Sequence, residues 1–302
     1  MVAVVTGAAG FAGYNLVKSL LDAGCFVYAV VRPASQHNRR LQRFENLRMI
    51  ECDMLSYNEL PSLIKEPVHF FFHLAWQGKR HDFEAQYRNI PASLAALEAA
   101  ARMGCKRFLC TGSQAEYGPQ EGIVTEETRP QPNCAYGAAK LAACVLTRQR
   151  AADLGMEWVW GRIFSLYGLY EPQGRMLPDL VAALQQGQSF SMTSAKQDWD
   201  YLYSVDGAEA LMALAERGKA GEIYNVANGD YHPLREFTES VREEVAPYVL
   251  IHYGEDARIP LSLRPSVEKI QQDTGWHART SFMEGICSWL RFQDTLKVRR
   301  EF

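Results

Sequence analysis

The feature that most restricts what this chain can fold into stands at its N-terminus. A β-branched run, Val2-Ala-Val-Val-Thr6, leads directly into Gly7-Ala-Ala-Gly10-Phe11-Ala12-Gly13, and a helical pattern follows at once. Glycines permit a tight turn and close backbone approach to a ligand, while exposed N–H groups and the positive end of the following helix attract a pyrophosphate. Strand, glycine turn and helix in that order predict a dinucleotide site at Gly7, Gly10, Phe11, Ala12 and Gly13. A glycine-rich turn without a ligand is the competing explanation, and outside this setting it would prevail.

The rhythm behind the turn predicts the fold class. Short strand-like runs at Val2 to Thr6, Phe26 to Val31, Arg48 to Cys52, His69 to Leu74, Arg107 to Thr111 and Glu157 to Ile163 alternate with segments of helical spacing. Tyr14 to Ala23, Glu84 to Met103 and Tyr136 to Asp153 are long enough to be crossover helices. This α/β pattern predicts a Rossmann doubly wound parallel sheet over residues 1–165, with a returning segment near 204–228 that includes Ile223 to Val226. Past residue 165 the Gly/Pro/Gln-rich stretches and aromatic-polar segments predict a smaller C-terminal substrate lobe over 166–302.

Composition narrows the class of function. A formal net charge of −3 in 302 residues provides no basic domain for nucleic acid. Seven scattered cysteines without a C-x-x-C pair point to reduced thiols rather than a disulfide framework or a metal site. The chain begins without a basic n-region, and no apolar run is long enough for a signal peptide or membrane span, so a cytoplasmic location and no membrane partner are expected.

Two further patterns carry chemistry. After the second strand stands Val31-Arg32-Pro33, where a carboxylate would accept the ribose hydroxyls of NAD. The missing acid, with Arg32, Ser35, Arg39 and Arg40 nearby, predicts NADP, because guanidinium groups match phosphate oxygens bidentately; NAD remains the alternative. Tyr136-Gly-Ala-Ala-Lys140 places a phenol and an ammonium on one helical face. An ordinary tyrosine, titrating near about 10, is a poor proton donor at neutral pH, and a neighbouring cation favours its phenolate. Tyr14-x-x-x-Lys18 has the same spacing, but no serine-bearing strand end precedes it, and it is read as surface decoration.

With its G-x-x-G-x-x-G spacing, the chain resembles the extended short-chain dehydrogenase/reductase family, of the nucleotide-sugar-modifying epimerase/dehydratase type, over almost its whole length. The resemblance implies that Asp53 and Met54 meet the adenine edge, that Leu74, Ala75 and Trp76 line the cofactor cleft, and that Asn89 orients its active-site side. It implies that Ser113, in Thr111-Gly-Ser113-Gln-Ala, hydrogen-bonds the substrate oxygen while Tyr136 transfers its proton and Lys140 holds the nicotinamide ribose. Trp76, Gln114, Ser165 and Arg175 are the implied substrate residues, with no metal.

Members that eliminate water carry an Asp-Glu pair where this chain has Gln114 and Ala115, which disfavours dehydration. Ser165 and Trp199 also replace an asparagine and an arginine that commonly contact the substrate diphosphate, and Arg175, Arg258 and Arg264 are the candidate replacements for that charge. The expected function is NADP(H)-dependent reduction of a keto group on a nucleotide-activated deoxysugar. The alternatives are a nucleotide-sugar 4-epimerase with tightly bound NAD and a non-catalytic dinucleotide sensor, which predicts a broken triad. Family resemblance also implies a homodimer through the Glu84 and Tyr136 helices.

Overall fold

The computed structural model describes residues 1–256 and 262–298. In chain order the elements are β1 (Val2–Thr6), α1 (Phe11–Asp22), β2 (Phe26–Val31), β3 (Leu47–Glu51), α2 (Leu60–Leu63), β4 (Phe70–His73), α3 (Phe83–Arg102), β5 (Arg107–Ser113), α4 (Ala135–Asp153) and β6 (Glu157–Ile163). There follow β7 (Ser165–Tyr167), α5 (Met176–Gln185), β8 (Phe190–Met192), β9 (Asp198–Tyr203), α6 (Ser204–Arg217), β10 (Glu222–Val226), β11 (Tyr231–Pro233), α7 (Leu234–Val245), β12 (Ile251–Tyr253), α8 (Glu268–Thr274) and α9 (Phe282–Val298).

Seven parallel strands form one sheet in the order β10-β6-β5-β4-β1-β2-β3. The side chains of each strand alternate between two cores, as a sheet covered on both faces requires. Ala3 and Val5 pack with Leu16 and Val17 of α1 and Leu211 and Leu214 of α6, whereas Val4 packs with Ala96 and Leu97 of α3 and Cys144 of α4. This is the Rossmann arrangement, and the strand order reverses between β1 and β4.

Beyond β6 the chain builds a three-stranded sheet, β11-β9-β7, and a two-stranded one, β12-β8. Their core is aromatic: Tyr167, Tyr201, Tyr203, Phe237 and Trp289 pack with the apolar face of α5.

Local differences from the sequence reading have physical causes. Helix α1 begins at Phe11, three residues before the expected Tyr14, because Gly10 caps it directly from the turn. Strand β5 runs past Thr111 to Ser113, so the serine ends the strand itself. Tyr14 is not surface decoration: it is 8% exposed and meets Tyr170 edge-on at 4.5 Å, while Lys18 pairs with Asp22 on the surface.

Helix α1 and the glycine turn touch backbone to backbone. A Cβ on Gly13 would stand 2.1 Å from the Gly7 carbonyl oxygen, which no side-chain movement relieves. Gly13→Ala is expected to destabilise the fold by about 1–3 kcal/mol and to weaken dinucleotide binding, read by thermal unfolding and fluorescence titration.

Candidate active site

The site begins where the strand order reverses. Gly7 adopts φ +68°, a conformation open to glycine, and a Cβ there would meet Ala75 N at 2.8 Å, so the turn after β1 lies directly against the chain leaving β4. Gly10 caps α1 without a side-chain acceptor, leaving the first helical N–H groups for a ligand. Beside them lies a cavity of 480 Å³ whose lining includes Gly7, Gly10, Phe11, Ala12, Gly13, Arg32, Ser35, Asp53, Met54, Leu74, Ala75 and Trp76. The close backbone approach and bare helix end suit a pyrophosphate, and the buried, unpartnered Asn38 Oδ1 in the same lining leaves a polar atom for the ligand's far end.

Arg39, Asn89 and Lys140, three of the expected cofactor residues, lie outside this lining. Arg39 is exposed on the 3-10 turn Gln36–Arg40. Asn89 is buried in α3, where its side chain both accepts from Gln77 N (3.0 Å) and donates to Gln77 O (2.9 Å), so it acts through the loop after β4. Arg40 donates to the Ala9 carbonyl at 3.0 Å and lies 4.3 Å over the Tyr170 ring, which commits it to the glycine turn. Sequence reasoning missed His37 and Asn38, which line the cavity with Arg32. Burial, with Arg40, Arg32 and Arg39 nearby, depresses the His37 imidazole's proton affinity, a mark of the loop's positive potential.

A second cavity of 850 Å³ shares Phe11, Ala12, Leu74, Trp76 and Arg175 with the first, and it brings together Ser113, Gln114, Tyr136, Lys140 and Ser165. Tyr136 and Lys140 stand one turn apart on α4. A Cβ on Gly137 would fall 2.2 Å from the Ala115 carbonyl oxygen, so the glycine lets α4 press against the turn that carries Ser113. That turn is a capping box: Ala115 N–H donates to Ser113 Oγ (3.2 Å), and Ser113 N–H donates to Glu116 Oε1 (2.8 Å). Because Ser113 Oγ accepts from the backbone, its own proton is left to donate.

Glu116 is fully buried, and its other donors are Trp160 Nε1 (3.0 Å) and Arg162 Nε (2.8 Å). Removing one partner of such an ion pair costs about 3–5 kcal/mol, so the pair locks the serine turn in place. Nothing in the linear sequence joins Glu116 to Arg162, and their pairing emerges only from the adjacency of β5 and β6.

The spacing makes Lys140 the cation that favours the Tyr136 phenolate, and other groups also act on that phenol. Burial raises the Tyr136 phenol above its ordinary value; a hydrogen bond with Ser113, then Arg175 and Arg80, act in the opposite direction, while Glu116 raises it further. The Lys140 ammonium instead donates to the Thr111 carbonyl (2.7 Å) and sits 3.7 Å from the Trp76 ring centroid. Burial lowers Lys140 to about 8. Trp76 meets Tyr136 edge-on at 6.2 Å and is anchored by its indole N–H to Gln86 (2.7 Å).

Arg80, Glu171, Trp199 and Tyr201 also line the larger cavity, and sequence reasoning assigned none of them a role as charge or acid. Arg264 pairs with Asp198 at 2.6 Å and does not line the larger cavity, and Arg258 lies outside the described residues. No group of acidic, histidine or cysteine side chains able to hold a metal occurs among the described residues.

Comparison with known proteins agrees with this geometry. Residues 3–227 match the family model described as NAD dependent epimerase/dehydratase family. The UDP-glucose 4-epimerase of Corynebacterium glutamicum is 28% identical over 306 residues, covering 90% of this chain and 89% of that protein. UDP-glucuronic acid decarboxylase 1 of Arabidopsis thaliana is 28% identical, covering 94% of this chain and 67% of its own length. Among solved structures, MoeE5 in complex with UDP-glucuronic acid and NAD superposes with a TM-score of 0.84 at 28% identity, with 100% of each chain covered. The chain belongs to the NAD dependent epimerase/dehydratase family and is an enzyme of the extended short-chain dehydrogenase/reductase type.

Proposed function

We propose that the protein catalyses NADP(H)-dependent reduction of a keto group on a nucleotide-activated deoxysugar, with Ser113, Tyr136 and Lys140 as its catalytic residues. The single observation that carries the reading is the meeting of these three side chains in a cavity that shares five lining residues with the glycine-turn cavity. When bound, the nicotinamide supplies the hydride. Ser113 donates a hydrogen bond to the reacting oxygen, Tyr136 Oη delivers the proton to it, and Lys140, fixed by the Thr111 carbonyl, orients the ribose and adds positive charge behind the phenol. Gln114 and Ala115 have no proton to exchange, which argues against dehydration.

The preference for NADP rests on Arg32, Ser35 and His37 in the cofactor cavity and on the lack of a carboxylate at the end of β2. A second reading, 4-epimerisation with retained NAD, is favoured by UDP-glucose 4-epimerases among the relatives and by NAD in the MoeE5 complex. Residues 1–165 with the return at 204–228 serve in this reading as the dinucleotide domain, and 166–302 as the substrate lobe. Exposed Phe83 and Tyr87 on α3 and Val145 and Leu146 on α4 support a homodimer through these helices. Seven free thiols and the absence of a helix long and apolar enough to cross a membrane among the described residues support a cytoplasmic location.

Incubation with NADPH and a panel of nucleotide 4-keto-6-deoxyhexoses tests the proposal. Stoichiometric NADPH loss is expected; purified protein that retains NAD and interconverts UDP-glucose and UDP-galactose without net oxidation would establish the epimerase instead. Tyr136→Phe is expected to lower turnover by about 10²–10⁴-fold while dinucleotide affinity stays within about threefold, measured by steady-state kinetics and fluorescence titration. Because Lys140 titrates at about 8 and its charged form is the one that assists, kcat/KM for reduction should fall as pH rises through that value, and Lys140→Met should remove this limb.

A further inference from the structure

Glu171 lies outside the catalytic trio, and its surroundings are unusual for a carboxyl group. Its side chain is 5% exposed and lines the larger cavity. Both of its partners stand near the outer limit of hydrogen bonding: Gly168 N–H donates to Oε2 at 3.4 Å, and Arg175 Nη1 donates to Oε1 at 3.4 Å. A buried carboxylate needs short, charge-assisted donors to offset its lost hydration, and these two offset it poorly. Burial accordingly pushes Glu171 up to about 7, with Arg175 acting in the opposite direction. The phenols of Tyr167 on β7 and Tyr201 on β9 also feel its charge, and neither offers a positive one.

Arg175 is shared. Its side chain is 53% exposed, it lines both cavities, and it stands at the start of α5. Arg264 is held by Asp198, and serine and tryptophan occupy positions 165 and 199. Among the described residues, Arg175 is therefore the cavity-lining cation, apart from Lys140 and Arg80, that a substrate diphosphate can engage.

We propose that Glu171 is a positioning residue of the diphosphate site: it holds the Arg175 guanidinium at the seam between the cavities and takes up a solvent proton when a bound diphosphate claims that guanidinium. The proposal rests on the nucleotide-sugar reading above. An anion at Arg175 withdraws the charge that favours the carboxylate and adds a like charge beside it, so the proton affinity of Glu171 rises on binding. Linkage is reciprocal: whatever raises proton affinity on binding makes binding tighter as pH falls. At pH below about 7 Glu171 is already neutral and Arg175 is available; at higher pH each binding event must draw a proton from solvent, and affinity declines. Lys140 and Tyr136 face the same cavity and also titrate, so the change must be traced to Glu171 by substitution.

Isothermal titration calorimetry of the dinucleotide-saturated protein with UDP-glucose and dTDP-glucose, in buffers of different ionisation enthalpy, tests this. The diphosphate diester of a nucleotide sugar has no ionisable proton near neutrality, so any uptake belongs to the protein. The expected result is uptake of about half a proton per site at about pH 7.5, with Kd rising about fivefold from about pH 6.5 to about pH 8.5. Glu171→Gln should abolish uptake and flatten the pH dependence while still binding. Arg175→Ala, at an exposed position, should weaken binding and also abolish uptake. Binding by the native protein without proton uptake, or a pH dependence unchanged in Glu171→Gln, would overturn the proposal and leave the nucleotide-sugar reading standing. Failure of UDP-, dTDP-, CDP- and GDP-glucose alike to bind would overturn both.

Discussion

A buried ammonium persists only where something replaces the water it has lost, and Lys140 has two replacements: the Thr111 carbonyl at 2.7 Å and the face of the Trp76 ring at 3.7 Å. The first belongs to the C-terminal end of β5 and the second to the chain leaving β4, so one charge ties two neighbouring strand ends to α4. Tyr136 is one turn away on the same helix. The phenol therefore cannot be placed in the cavity without also fixing the ammonium, and both are placed by the ends of the parallel sheet.

The remaining parts serve the same placement. The Glu116–Arg162 pair holds the backbone of Ser113, Gly137 lets the helix approach the serine turn, and Gln86 and Asn89 hold the loop that bears Trp76. The Arg80 carbonyl on that loop accepts the Tyr136 backbone N–H at 3.0 Å, closing a path from α3 through the loop to α4. Rigid support of this kind keeps reacting groups aligned without reorganisation at the moment of reaction.

Much of this was legible in the sequence because it is local. The glycine turn, the strand-helix rhythm and the Tyr136/Lys140 spacing each follow from short-range geometry, and Ser113 falls at a strand end that the rhythm already marks. Contacts between distant segments were not legible. Arg162 reads as one more strand residue until β6 pairs with β5 and sets it beside Glu116. Arg39 and Arg40 look alike in a basic stretch, yet one is exposed and the other bonds the glycine turn. Glu171 gives no signal at all, since the cavity it lines with Tyr201 of β9 forms only in the folded chain. The further influences on the phenol were not legible for the same reason: Arg80 and Arg175 arrive from other parts of the chain.

A crystal structure with dinucleotide and nucleotide sugar bound tests the central claim most directly. The pyrophosphate is expected over Gly7 to Gly13, with Lys140 still bonded to the Thr111 carbonyl while reaching the nicotinamide ribose, and the Ser113 and Tyr136 hydroxyls both on one substrate oxygen. A substrate oxygen that touches neither hydroxyl, or a dinucleotide seated away from the glycine turn, would contradict it.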